Sequence, residues 1–401
     1  MKILQYLGAF NIINSVGGSK RVFCEMANAM VARGHEVYAV CNSSQTGRPF
    51  YPLDDQVRFI NFDGSGRRKL KPLTWLKSIR PFLPSVCSEL LGRYVDTPIN
   101  RKKGESLVQL IREVQPDIVI PYFADDYFSM LRQPMLDVPV ILMHHNSAED
   151  FVETINTREK NTKINTCPHL QVLQRSFIPE IQKVYHGLIH VIPNTVPQVE
   201  EKNSADLTAI KPQKTIMMIS RLHKNKQQHL LIQAFGRLKQ DYPDWKVEIY
   251  GSLSERWYPR KLQEMIVSQG LTDQVKLMGT TNSPLDVLRQ ADIFAFPSNH
   301  PEGWGLALTE AMTVGLPCVG LKTTPSVNEL IVDGVNGFLT DNTPEDFAAK
   351  LKILMDAQDL RVKMGRAGHE RMKQYAPEKI WDQWEELITK IIQQHQQCKA
   401  A

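Results

Sequence analysis

Short apolar runs alternate with amphipathic stretches almost from the first residue. Ile3-Leu4-Gln5-Tyr6-Leu7 reads as a strand, and a loop leads from Gly8 to Gly17-Gly18. A helix then places Val22, Met26 and Met30 on one stripe with Phe23 and Ala27 beside it. Arg33-Gly34, a basic last turn followed by glycine, predicts its end, and His35–Val40 returns as a strand. Apolar runs recur at Val57–Ile60, Ile118–Ile120 and Val138–Met143. A second series starts near Lys214. Its strands are expected at Ile216–Ile219, Lys246–Tyr250, Val275–Met278, Ile293–Phe296 and Cys318–Leu321, with a helix over Gln228–Leu238. Such alternation predicts α/β architecture, with parallel sheets covered on both faces. Pro193-Asn194-Thr195-Val196-Pro197 and a polar run to Gln213 separate the two series. Pro377–Gln394 forms one helical stretch with apolar Ile380, Trp381, Trp384, Leu387, Ile388 and Ile391. The expected layout is a first domain over 1–195, a linker over 196–213, a second domain over 214–376 and a C-terminal helix over 377–401. Ligands of open parallel sheets sit beyond the strand C-termini, so the cleft is the place to seek chemistry.

Composition narrows the function classes. A 401-residue chain exceeds one ordinary core, and its 42% hydrophobic and 23% charged residues match a globular protein rather than a disordered or polytopic one. No apolar run is long enough to span a bilayer. The start carries one cation, Lys2, and no small-residue cleavage pattern, so no signal peptide is expected. The six cysteines (24, 41, 87, 167, 318 and 398) include no Cys-x-x-Cys pair, which predicts free thiols in a reducing cytoplasm and no zinc site. Net charge is +5, yet residues 67–103 hold ten basic against two acidic residues, a local +8 that leaves −3 elsewhere. That is a local device and not a nucleic-acid footprint. The segment interleaves Arg67, Arg68, Lys69, Lys71, Lys77 and Arg80 with Leu73, Trp75, Leu76, Ile79, Phe82 and Leu83, and Pro81 and Pro84 interrupt it. We expect it to dock on an anionic membrane surface, with a solvated basic loop or a site for a phosphorylated acceptor as the alternative.

The strongest local signal runs from Pro297-Ser298 through Glu302-Gly303-Trp304-Gly305-Leu306 to Glu310-Ala311-Met312, after a strand and into a helix. Gly303 and Gly305 let backbone approach a ligand closely, and a helix start offers unpaired N–H groups. Eight helical residues would set Glu302 and Glu310 ~12 Å apart, beyond the ~5–9.5 Å of a hydrolase pair. Separate roles toward a polar ligand fit better. Ser220–Lys226 follows the first strand of the second series, with Arg221 able to present a planar fork to phosphate and Lys226 a point charge. No two aspartates are separated by a single residue, so an Asp-x-Asp metal site is not expected.

Residues 291–340 resemble the signature region of family-4 retaining glycosyltransferases of the GT-B fold, here of the bacterial surface-polysaccharide or lipopolysaccharide type. Beyond the run above, Gly315-Leu316-Pro317-Cys318-Val319 and Asp333–Leu339 fit the pattern, as do Gly17-Gly18 with Arg21, Arg33–Val37 and Ile192-Pro193-Asn194. Trp304 stands where phenylalanine or tyrosine is usual, and Gln227 replaces a glycine.

The resemblance implies two Rossmann-like domains facing across a cleft, with the C-terminal helix crossing back to the first. It implies that Glu310 holds ribose hydroxyls, and that Glu302 with the backbone of Gly303, Trp304, Gly305 and Leu306 holds the donor sugar. Arg221 and Lys226 would carry the diphosphate in place of a metal, with Gly17 and Gly18 giving backbone N–H groups. His145, with His144 as the alternative, would stand beside the sugar as a catalytic candidate. The implied enzyme is a metal-independent, retaining hexosyltransferase needing no cofactor. It would take a UDP-, GDP- or ADP-sugar and a glycan or lipid-linked acceptor, and act in the cytoplasm or on the inner membrane face. A sugar-nucleotide epimerase and a non-catalytic partner subunit of the same fold are the competing readings. Nucleotide-sugar binding by calorimetry separates the last of these from the enzymes.

Overall fold

The structure is a computed structural model that describes residues 1–8, 11–62, 104–131, 137–252, 257–299 and 302–400. The basic segment 67–103 lies outside these residues. Thirteen described strands form three parallel sheets, two in the first half and one in the second. In the first half, β1 (Lys2–Leu7), β2 (Glu36–Cys41), β3 (Arg58–Asn61) and β4 (Ile118–Pro121) pair in the order β3-β2-β1-β4. A parallel bridge between Val119 and Val140 joins these to β5 (Ile141–His144), β6 (His169–Val172) and β7 (Leu188–Val191). In the second half, β8 (Lys214–Ile219), β9 (Trp245–Tyr250), β10 (Val275–Gly279), β11 (Ile293–Phe296), β12 (Cys318–Leu321) and β13 (Gly337–Thr340) take the order β10-β9-β8-β11-β12-β13. Strands β1, β4, β5, β11 and β12 are buried nearly throughout, as parallel strands covered on both faces must be.

Five helices bear on the site: α1 (Gly18–Ala32), α2 (Gln228–Gly236), α3 (Leu306–Thr313), α4 (Gln358–Met372) and α5 (Pro377–Ala400). The first buries Val22, Phe23, Met26, Ala27, Met30 and Val31, the predicted stripe. It stops where Gly34 turns left-handed at φ 81°, with the Gly34 and His35 amides donating back to Val31 and Met30. The last helix does cross back. Ile380, Trp381, Trp384, Ile388 and Ile391 are buried in one core with Ile3, Phe23, Met26 and Ile141 of the first half. Its polar side is tied to the same half, with Arg33 donating to Asp382 at 3.0 Å and His35 2.9 Å from Glu385. The chain therefore passes between halves twice, and the passages touch: the Val196 amide donates to the Tyr375 carbonyl at 2.9 Å.

Strands β6 and β7 were not expected from the sequence. Both are short, and His169, Gln171 and His190 interrupt their apolar pattern. Burial of Gln171 is met by its amide donating 2.5 Å to the Ile192 carbonyl, and the His169 and His190 rings meet at 3.2 Å. No helix among the described residues is long and apolar enough to cross a membrane.

Candidate active site

The sheets of β1 and β8 each reverse their strand order beside that strand, between β1 and β4 and between β8 and β11, and such reversals open a crevice at the strand C-termini. The expected motifs fall there. Residues 220–227 follow β8 and residues 297–305 follow β11, and the Asn299 amide ties the two loops by donating to the Asn225 carbonyl at 3.2 Å. Gly17-Gly18 opens α1 after β1, and His144-His145 ends β5, so both face this crevice from the first half.

The two glutamates occupy separate niches. Glu302 accepts from the Ser298 hydroxyl at 2.6 Å and forms an ion pair with Lys226. Glu310, on α3, is 6% exposed and accepts at 2.5 Å from Arg21, a residue 289 positions away on α1. Arg21 also donates to Glu25 at 2.7 Å, and Glu25 accepts from Thr195 at the passage between halves at 3.2 Å. Burial raises the Glu310 carboxyl above the ordinary range, against the opposing pull of Arg21. The Arg21 contact is to the Oε1 atom of Glu310. A cavity of about 580 Å³ opens here, lined by Arg21, Glu25 and Tyr51 on one side and by Asn282, Leu285 and Glu310 on the other.

Backbone closes the crevice where the sequence has glycine. Gly303 lies so near the first half that an added Cβ would sit 2.8 Å from the His145 carbonyl carbon and 3.3 Å from the Asn146 Cα. Gly305 turns left-handed at φ 74° and caps α3; the Leu308 and Thr309 amides return to its carbonyl, leaving the Leu306 and Ala307 amides at an open helix start. Leu306 meets Gly18, whose Cβ position is 3.1 Å from the leucine Cδ1. His145 is buried and stacks on Tyr122 at 5.0 Å between ring centroids, with both ring nitrogens lacking a partner. Burial, reinforced by His144, pushes its pKa down to about 3, so the ring is neutral at pH 7 and offers one donor and one acceptor. His144 is spoken for: its Nε2 lies 2.7 Å from the Ser147 carbonyl.

Trp304 brings its backbone to this loop while its ring packs into the core, edge-on to Tyr375 at 4.9 Å. Gln227 adopts the left-handed conformation (φ 51°, ψ 41°) that a glycine takes freely. Sequence reading did not pair Arg21 with Glu310, nor anticipate a second clasp: Glu329 accepts from the Arg175 and Ser176 amides at 3.1 and 3.2 Å and from the Ser176 hydroxyl at 2.9 Å. Arg21 left only a weak signal, its place three residues after Gly18. Among the described residues no group of three or more His, Cys, Asp or Glu side chains could hold a metal ion.

Two family profiles match adjoining stretches of this chain. "Glycosyltransferase Family 4" covers residues 16–198 and "Glycosyl transferases group 1" covers residues 199–371. The chain belongs to the family-4, group 1 glycosyltransferases. An uncharacterized glycosyltransferase of Haemophilus influenzae is 25% identical over 94% of this chain and 97% of its own. An exopolysaccharide phosphotransferase of Streptomyces coelicolor is 32% identical over 94% of this chain, which spans only 40% of that longer protein. The fold is shared with a sucrose-phosphate synthase of Thermosynechococcus elongatus (TM-score 0.75, 15% identity, 97% of this chain and 98% of that one). It is also shared with the Anabaena protein HepE, solved with UDP and glucose (TM-score 0.70, 18% identity, 97% and 99%). Two Rossmann-like halves across a cleft, in the GT-B arrangement, are thus the architecture of this group 1 glycosyltransferase.

Proposed function

We propose that this glycosyltransferase moves a hexosyl group from a nucleoside-diphosphate sugar to a glycan or lipid-linked acceptor of surface polysaccharide or lipopolysaccharide assembly. In this reading transfer retains the anomeric configuration and needs no metal ion. The observation that carries it is the crevice in which two glutamates, each held by a cation, flank an open helix start and a cavity of about 580 Å³. Glu310 accepts the vicinal ribose hydroxyls. Glu302, fixed by Ser298 and Lys226, accepts sugar hydroxyls, and the amides of Gly303, Trp304, Gly305 and Leu306 face the donor. Departure of the diphosphate builds negative charge, which Arg221 and Lys226 offset together with the α3 N-terminus and the amides of Gly17 and Gly18. A neutral His145 positions sugar and acceptor through hydrogen bonds and cannot serve as a cation at pH 7. Attack on the face the leaving group vacates requires no enzyme nucleophile.

HepE, with UDP and glucose bound, supports a UDP-hexose as the first donor to try, and the exopolysaccharide relative supports a surface-glycan acceptor. The deciding experiment is a panel of UDP-, GDP- and ADP-sugars assayed with and without EDTA, the product bond being read by NMR. Retained configuration and turnover unchanged by EDTA are expected. An inverted anomeric bond, or activity abolished by EDTA and restored by Mn²⁺, overturns the mechanism. Docking of residues 67–103 on the cytoplasmic membrane face is the proposed route to a lipid-linked acceptor. Sedimentation with anionic vesicles should require low salt and fall when Arg67, Arg68, Lys69 and Lys71 become Ser.

A further inference from the structure

Two cations at the crevice have no carboxylate partner among the described residues: Lys20 in the first turn of α1 and Arg221 after β8. Of their neighbours, Arg21 is compensated by Glu25 and Glu310 and Lys226 by Glu302. The Lys20 side chain curls back over Gly17, whose Cβ position would lie 3.5 Å from Cδ, 3.6 Å from Cε and 3.8 Å from Nζ. Its ammonium donates to the Ser15 hydroxyl and, at 3.5 Å, to the Val16 carbonyl. An ammonium has three N–H groups, so one remains for another acceptor. Burial, and then the charge of Arg221 opposite, hold the Lys20 ammonium below the ordinary lysine range. The first half thus adds a cation at the start of α1 to those of the loop after β8, and among the described residues no carboxylate pairs with Lys20 or Arg221, a placement that favours a polyanion.

We infer that Lys20 is a third phosphate-binding cation, supplied by the first half, and that a diphosphate bridges Lys20 and Arg221 across the crevice. This rests on the donor-site reading above and adds to it a ligand contact from α1, where that reading drew only on backbone amides. Lys20 would hold the leaving group from the side opposite Lys226. Diphosphate affinity would then depend on both halves being in place.

Inorganic pyrophosphate isolates this contact from base and sugar. It is titrated calorimetrically into the wild type and into Lys20→Met, Lys20→Gln, Lys20→Arg and Arg221→Met, each first shown folded by circular dichroism. Loss of a charge-assisted bond should weaken pyrophosphate by about tenfold or more in Lys20→Met and Lys20→Gln. Lys20→Arg should restore most of the affinity, and the slope of log affinity against log salt should shrink in the neutral variants. Unchanged affinity in both neutral Lys20 variants alongside weakened binding in Arg221→Met overturns the role of Lys20 and leaves the donor site standing. Absence of pyrophosphate binding by the wild type overturns the diphosphate site itself.

Discussion

Replacing Gly303 by alanine tests whether the crevice must close to within van der Waals contact. The added methyl carbon would stand 2.8 Å from the His145 carbonyl carbon and 3.3 Å from the Asn146 Cα, and closer still to the His145 oxygen. All three are backbone atoms, so no side chain can rotate away. Carbon atoms settle at about 3.5–4.0 Å, which requires the two halves to separate here by roughly 1 Å. Adding that to the 2.5 Å bond between Arg21 and Glu310 takes it past hydrogen-bonding length. Displacement of reacting groups by about 1 Å costs on the order of 10²-fold in rate. The position is not left-handed, so alanine adds no backbone strain, and its smaller unfolded-state entropy offsets part of the clash. Gly303→Ala should therefore lose about 10²-fold in kcat while its thermal midpoint moves by only a few degrees. Gly334→Ala is the control: φ there is 75° and the Cβ would meet open space, so stability should drop by about 1 kcal/mol with kcat unchanged. Initial rates with saturating donor and calorimetric melting read both effects. A Gly303→Ala enzyme with kcat within threefold of wild type refutes the closed-crevice requirement.

Gln227→Gly should stabilise the protein by about 1 kcal/mol in urea unfolding, because it removes a left-handed glutamine whose Oε1 is buried without a partner. Mild acid should destabilise through His145 and His190, opposed in part by Glu310, whose raised carboxyl binds its proton more readily in the folded chain. The His145 and His190 pKa values are pushed down to about 3 and about 4, so between those values and the ordinary 6.5 the unfolded chain binds more protons. Stability is then full above pH 6.5 and falls as pH drops, by about 1.4 kcal/mol per pH unit for His145 and somewhat less for the partly exposed His190. Urea midpoints at pH 7.0, 5.5 and 4.5 measure the slope, and His190→Gln should make it shallower.

What the sequence discloses follows from how local each signal is. Strands β1, β8, β11 and β12 are largely apolar over four to six residues, and the Glu302–Met312 motif is contiguous, so both could be read within a short window. Strands β6 and β7 hide because the Gln171 amide and the His169–His190 pair find their partners only on neighbouring strands and loops. The partner of Glu310 lies 289 residues away, and no periodicity encodes a pairing at that range. Trp304 shows the same limit. Its place in the motif gives no direction for the ring, which contact with Tyr375, distant in sequence, holds in the core.

The return of α5 to the first half sets an order on biosynthesis. Ile380, Trp381, Trp384, Ile388 and Ile391 complete a core whose other members, from Ile3 to Ile192, leave the ribosome at least 188 residues earlier. Until the last helix emerges, the nascent first half carries an apolar trough along α1, while the second half can assemble its own sheet core around Ile216, Val247 and Ile293. The half made first is thus completed only by a helix made after the second half, and its apolar trough stays uncovered while the whole second half is synthesised.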